Sequence, residues 1–267
     1  MNCFSARARF FGPLILLLIL LPSVVSAQPP ARVVHVFVAL ADNQYQGIEP
    51  VPARLGDGDA PASNLYWGAA FGVKAYFRSS SDWKLISAGP GPKSVVLERC
   101  VFKNRNANVY LVADAYRGRN IRDAVTDFLT AASGLNSQTL VVASGQSDAS
   151  LRIGGGADLV AYVGHDAFMD FQIPPISGTK GTKPRAAIML ACASKPYFAP
   201  YLKYTGADPL LWTTNLMAPE AYTLRAAIEG WIGGETGASV RMRAARAYDK
   251  YQHCGLQAAE RLFATGW

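Results

Sequence analysis

A series of short apolar runs without helical period, separated by segments that have one, constrains this chain more than any other feature. Residues 32–40 (RVVHVFVAL), 108–113 (NVYLVA), 139–143 (TLVVA), 158–163 (DLVAYV) and 186–191 (AAIMLA) are made almost wholly of β-branched and other apolar residues. None alternates apolar with polar positions, so each reads as a strand buried on both faces, as in a parallel sheet. Residues 94–102 read as a hairpin partner for 108–113 across Lys103-Asn104-Arg105-Asn106, and 209–212 as a last short strand. Helical spacing covers 64–77, 121–132, 219–232 and 238–253, with a short piece at 256–263. Asn120 stands where the second helix needs a cap, Asp123 suits the dipole of its first turn, and Gly134 closes it. Strands alternating with helices predict an α/β fold with a mostly parallel sheet flanked by helices.

Arg7 and Arg9 precede an unbroken apolar stretch from Leu14 to Leu21, then Pro22 and the run Ser23-Val24-Val25-Ser26-Ala27. A basic start, a short apolar middle and a small-residue Val-Ser-Ala site form a cleavable signal peptide over residues 1–27. The apolar part is shorter than the about 20 residues a spanning helix needs. The expectation is therefore an exported protein, periplasmic or secreted, with no membrane span after cleavage. The 240 residues from 28 to 267 suit one domain, its C-terminal helices beginning at about residue 217.

Cleavage removes two of 26 basic residues and none of 19 acids, so the formal charge falls from +7 to +5. The basic residues are scattered, apart from Arg241, Arg243 and Arg246 on a helix face, and no nucleic-acid-binding motif occurs. Nucleic acid is thus excluded as the expected partner. Three cysteines remain, Cys100, Cys192 and Cys254, an odd number for an exported chain, so at least one is a free thiol or pairs with another chain. Cys100 and Cys254 are a candidate disulfide pair.

Ligands of open α/β sheets bind beyond the carboxyl ends of the strands. The residues predicted there are Asp42 and Asn43, Asp114, Gln146, His165, Cys192, Thr213 and Thr214. A cysteine nucleophile needs a base, usually histidine. Of three histidines, His35 falls inside a strand and His253 in a late helix, which leaves His165 as the candidate base for Cys192. The segment between them, residues 166–191, holds one loop and one strand. If the two strands are parallel neighbours, their ends lie about 5 Å apart.

The stretches Leu159-Val160-Ala161-Tyr162-Val163-Gly164-His165 and Ile188-Met189-Leu190-Ala191-Cys192-Ala193-Ser194 resemble those of the caspase-like, clan CD cysteine peptidases. That family has one apolar strand ending in His and a later one ending in an Ala-Cys dipeptide. The resemblance follows element order over about residues 32 to 235 and implies a caspase-like three-layer architecture. It implies His165 as general base, Cys192 as nucleophile, and the N–H groups of Cys192 and Asp166 as oxyanion donors. The implied partner is a protein or peptide substrate, and no cofactor is implied. Those peptidases place Gly directly after the His, whereas this chain has Asp166 there and Gly164 before the His. The alternative expectation is a catalytically inactive caspase-like binding or interaction domain.

Asp42 and Asp114 are candidates for recognising a basic substrate residue, and Gln146, Trp212, Thr213 and Thr214 for lining its site. No Gly-x-Ser-x-Gly elbow occurs, and no His-x-x-x-His or Cys-x-x-Cys pair points to a metal. Gly154-Gly155-Gly156 opens a strand rather than a helix and lacks the context of a phosphate loop. Expression with export intact is expected to yield a chain whose N-terminal sequence begins at Gln28; a product beginning at Met1 would overturn signal cleavage.

Overall fold

A computed structural model describes Met1 and residues 30–144, 147–176 and 185–267. The predicted signal segment beyond Met1 lies outside these residues, as does Gln146. In chain order the elements are β1 (Arg32–Ala39), α1 (Val73–Ser79), β2 (Trp83–Gly89), β3 (Val96–Asn104), β4 (Val109–Tyr116) and α2 (Ile121–Ala132). There follow β5 (Gln138–Ser144), β6 (Ser147–Ile153), β7 (Leu159–Val163), β8 (Ala186–Leu190), α3 (Ser194–Leu202) and β9 (Asp208–Thr213). The chain ends in α4 (Ala221–Ile232), α5 (Gly237–Gln252), α6 (Leu256–Leu262) and β10 (Phe263–Ala264). Eight strands form one sheet in the order β10-β9-β8-β7-β1-β4-β3-β2. The run from β9 to β4 is parallel throughout, and the antiparallel pairs lie at the two margins.

The apolar runs become strands because both faces of the sheet are covered. In β1, Val34, Val36 and Val38 join a core with residues of α1, α4, α5 and α6. Val33 and Phe37 point the other way, into a second core with α2, α3 and the β5–β6 hairpin. This is the expected α/β fold, with a mostly parallel sheet between two helical layers. Among the described residues no helix is long and apolar enough to cross a membrane.

Four sequence expectations are corrected. Residues 64–77 are not one helix: only Val73–Ser79 is helical, and turns occupy most of the stretch before it. The side chain of Asn64 takes over the local backbone, accepting from the N–H groups of Ala41 and Tyr66 and donating to the carbonyls of Ala41 and Asp57. An asparagine that offers such partners competes with helix formation, and Gly68 packs so tightly that a Cβ would stand 2.2 Å from the Ala62 carbonyl oxygen. Residues 139–143 do form a strand, but β5 pairs only with β6, as a separate two-stranded sheet. Cys100 does not pair with Cys254: it is a free thiol buried inside β3, whereas Cys254 is free and exposed.

Asp114 does not stand at a strand end. β4 continues to Tyr116, which puts Asp114 inside the strand opposite Phe37 of β1. Its carboxylate, 1 % exposed, receives Arg99 Nε at 2.6 Å and Nη2 at 2.6 Å, and lies 3.1 Å from His35 Nε2. Gly154 N–H donates to His35 Nδ1, which assigns the other ring proton to Nε2, facing Asp114. Burial alone would raise the Asp114 pKa, but the bonds from Arg99 and His35 outweigh it and hold the pKa below its ordinary value. Arg99→Met would strand a buried carboxylate, a change that destabilises by about 3–5 kcal/mol. Urea unfolding is expected to show that loss at neutral pH, and adding Asp114→Leu is expected to restore most of it.

Candidate functional site

β7 and β8 are parallel neighbours in register, Val163 opposite Leu190. Gly164 N–H donates to the Leu190 carbonyl at 3.2 Å, so the register persists one residue beyond the strand. His165 and Cys192 each stand two residues past that matched pair, on strands about 4.8 Å apart. Both line one cleft of about 680 Å³. Its walls come from Gly47, Ile48 and Glu49 after β1, Tyr66 before α1, Met217 to Glu220 after β9, and Tyr248 and Gln252 on α5.

A locked strand-to-helix turn presents Cys192. Ala193 has φ 45° and ψ 38°, the left-handed region that a non-glycine residue enters at a cost of about 1–2 kcal/mol. Neighbours hold it there. Ala193 N–H donates to the Asn215 carbonyl at 2.8 Å, and Ser194 Oγ donates to the Met189 carbonyl at 2.8 Å. Ser194 N–H and Thr213 N–H each donate to the other residue's side-chain oxygen, both at 2.9 Å, while Thr213 Oγ1 donates to the Ala191 carbonyl. Thr213 is thus fully buried and clamps the turn instead of meeting a ligand.

Cys192 Sγ donates to the Met217 carbonyl at 3.5 Å and accepts from Met217 N–H at 3.4 Å. Burial pushes the thiol pKa up; the Met217 N–H opposes this, and Asp166 adds to it. The resting group is therefore a thiol. Among the described residues no hydrogen bond joins it to His165.

His165 Nε2 lies 2.9 Å from Asp170 Oδ2, and the His165 carbonyl accepts from the Tyr162 hydroxyl at 2.8 Å. Asp170 Oδ2 also accepts from Gly47 N–H at 3.2 Å, which ties the loop after β1 to the histidine. With the Nε2 proton facing Asp170, the basic nitrogen is Nδ1, which bonds no other described residue. Asp170 was not singled out from the sequence, and its only signal there is a carboxylate five residues beyond His165.

Asp166 turns inward. Its Oδ1 accepts from Phe168 N–H at 3.0 Å, capping the single turn Ala167–Met169, and its Oδ2 has no partner. The carboxyl is fully buried and lies outside the residues that line the cleft. Burial raises its pKa to about 7, with the nearby Asp170 charge adding to the rise against the Phe168 N–H.

The remaining sequence candidates lie elsewhere. Asp42 is buried and accepts from the N–H groups of Gln44 and Tyr45, shaping the loop instead of facing a ligand. Asp114 is held by Arg99 and His35. Trp212 is fully buried in β9 against Trp267, and Thr214 Oγ1 donates to the Arg261 carbonyl. Apolar burial and backbone satisfaction claimed these side chains, and a strand-end position in sequence does not reveal that. Glu49, Tyr66, Glu220 and Tyr248 also line the cleft, from segments whose sequence reads as loop or helix and carries no signal of a site. Glu220 Oε2 accepts from the Tyr222 hydroxyl at 2.8 Å and from Gln252 Nε2 at 3.2 Å; burial raises its pKa despite both bonds. Among the described residues no three His, Cys, Asp or Glu side chains are grouped to hold a metal ion.

Comparison with protein-family models, with curated proteins and with solved structures gives no match.

Asp166 makes stability depend on pH in a definite direction. Its folded pKa of about 7 lies above the ordinary 3.8, so between those values the folded chain keeps a proton that the unfolded chain has released. Stability contributed by this group is complete below about pH 4 and is lost as pH rises through about 7. Asp166→Asn keeps the neutral form at every pH. Urea midpoints at about pH 4 and about pH 8 are expected to show the variant gaining on the wild type only at the higher pH.

Proposed function

We propose that this chain is an exported, caspase-like cysteine hydrolase that acts on peptide or related acyl bonds through Cys192 and His165. One observation carries the proposal: two in-register strand ends deliver a cysteine and a histidine to one cleft, the histidine oriented by Asp170. A nucleophile, a base and a group that orients the base are the parts acyl transfer requires.

His165 Nδ1 takes the proton from Cys192 Sγ as sulfur adds to the carbonyl carbon. The resulting oxyanion collapses, the protonated histidine delivers the proton to the leaving amine, and an acyl thioester remains on Cys192. Water, deprotonated by His165, then adds to the thioester, and the departing sulfur recovers its proton. Asp170 holds the ring so that Nδ1 is the nitrogen that works. Because burial keeps the thiol protonated, the histidine acts as a base during attack and not as the partner of a standing thiolate. The cleft contains Glu49 and Glu220 and no Lys or Arg, which suits neutral or cationic substrates. A second reading, a binding domain without catalysis, draws on the Cys192 thiol being bonded to Met217 on both sides and not to His165.

Stopped-flow reaction with p-nitrophenyl acetate distinguishes the two. Hydrolysis through Cys192 predicts one acetyl group per chain on Cys192, none in Cys192→Ala, and a rate roughly 10²–10⁴-fold lower in His165→Ala. Asp170→Asn is expected to slow the wild-type reaction by ~10-fold or more through the wrong tautomer. Acetylation that is absent or independent of His165 would leave the binding domain.

A further inference from the structure

The lining of the cleft is poor in hydrogen-bond donors. Of its side chains only Cys192, His165, Tyr66, Tyr248 and Gln252 have a proton to give. Cys192 and His165 are engaged in the bond-making. Gln252 Nε2 is already directed at Glu220 and Tyr222, and the Tyr248 hydroxyl oxygen is anchored by accepting from Ala218 N–H at 3.2 Å. Met217 N–H, the nearest backbone donor to the sulfur, is spent on it. Of these five side chains, Tyr66 is the one whose polar atom bonds no described residue, so its donor is free to join the backbone N–H groups.

The backbone of Tyr66 is anchored at both ends of the residue: its N–H donates to Asn64 Oδ1 at 3.1 Å, and its carbonyl accepts from Val73 N–H at 2.9 Å. Its ring belongs to the core beneath the sheet and is 7 % exposed. Its hydroxyl nevertheless bonds no other described residue. The ring is buried but the hydroxyl is not among the sealed polar atoms, so it opens onto the cleft, where its proton is available to a ligand atom. The hydroxyl lies within electrostatic reach of Cys192, Glu220 and the Tyr162 hydroxyl, and Tyr162 in turn bonds the His165 carbonyl. Tyr66 lines the same cleft as His165 and Cys192, at the two strand ends.

We propose that the Tyr66 hydroxyl donates a hydrogen bond to the oxyanion formed when Cys192 adds to a substrate carbonyl, which makes Tyr66 a catalytic residue of this cleft. The proposal rests on the Cys192–His165 reading above. A donor placed where charge develops acts on the transition state more than on the bound substrate. Burial first, then the nearby Cys192 and Glu220 charges, raise the phenol pKa, so the hydroxyl keeps its proton while the thiol chemistry runs.

Two probes separate this role from a structural one. p-Nitrophenyl acetate reacts through a tetrahedral oxyanion, whereas iodoacetamide alkylates sulfur by direct displacement without one. In Tyr66→Phe, Cys192 acetylation is expected to fall by roughly 10²-fold, the effect of losing one oxyanion donor. Alkylation of Cys192 is expected to stay within about twofold of wild type, a margin smaller than any catalytic donor effect. The urea midpoint is expected to hold, because the hydroxyl bonds nothing in the resting protein. Unchanged acetylation, or an equal fall in both reactions, overturns the role of Tyr66 and leaves the dyad standing. Failure of wild-type Cys192 to be acetylated overturns both.

Discussion

Parallel pairing of β7 with β1 on one side and β8 on the other is the constraint on which the rest of the molecule depends. It brings three carboxyl ends to one edge, and the chain leaving each end supplies a different part of the cleft. The loop after β1 contributes a wall, the end of β7 contributes His165, and the end of β8 contributes Cys192. Register is not adjustable here, because both faces of these strands are packed. A slip of one residue would turn every side chain to the opposite layer, and His165 and Cys192 would no longer emerge at matched positions.

The turn after β8 shows how local strain and long-range bonding are coupled. Ala193 occupies a left-handed conformation that its own side chain disfavours. What holds it is the exchange of bonds between Ser194 on α3 and Thr213 on β9, residues distant in sequence. Strand β9 is thus part of the apparatus that presents Cys192 at the cleft. Asp170 plays a comparable part for His165, bonding the ring and the N–H of Gly47 with one oxygen.

Two buried aspartates meet opposite fates for one physical reason. Asp114 has a guanidinium and an imidazole beside it, so its charge is compensated and its pKa is lowered. Asp166 has a single backbone N–H and a like charge nearby, so burial prevails and its pKa climbs to about 7. Desolvation favours the neutral acid unless a cation offsets it. At the position that follows the histidine, a carboxyl turned into its own turn and away from the cleft does not point its charge at the cleft, as one aimed outward would.

Most of the apolar runs without helical period determined by themselves that this chain builds a mostly parallel sheet, because burial on both faces accommodates them; residues 139–143 show that such a run also fits an antiparallel hairpin. The bounds of α2 at Ile121 and Ala132 were legible from nearby residues, although the Asn120 side chain makes no capping bond and donates to Asp123 instead. The matched placement of His165 and Cys192 after successive apolar strands was legible as a pattern. That their strands are in-register neighbours was decided by the sheet. Tertiary structure alone decided that Asp114 lies within a strand facing Arg99, that Thr213 clamps a turn, and that Tyr66 and Glu220 line the cleft of His165 and Cys192. Those outcomes depend on partners brought together by the packing of separate elements, and no local propensity encodes such a contact.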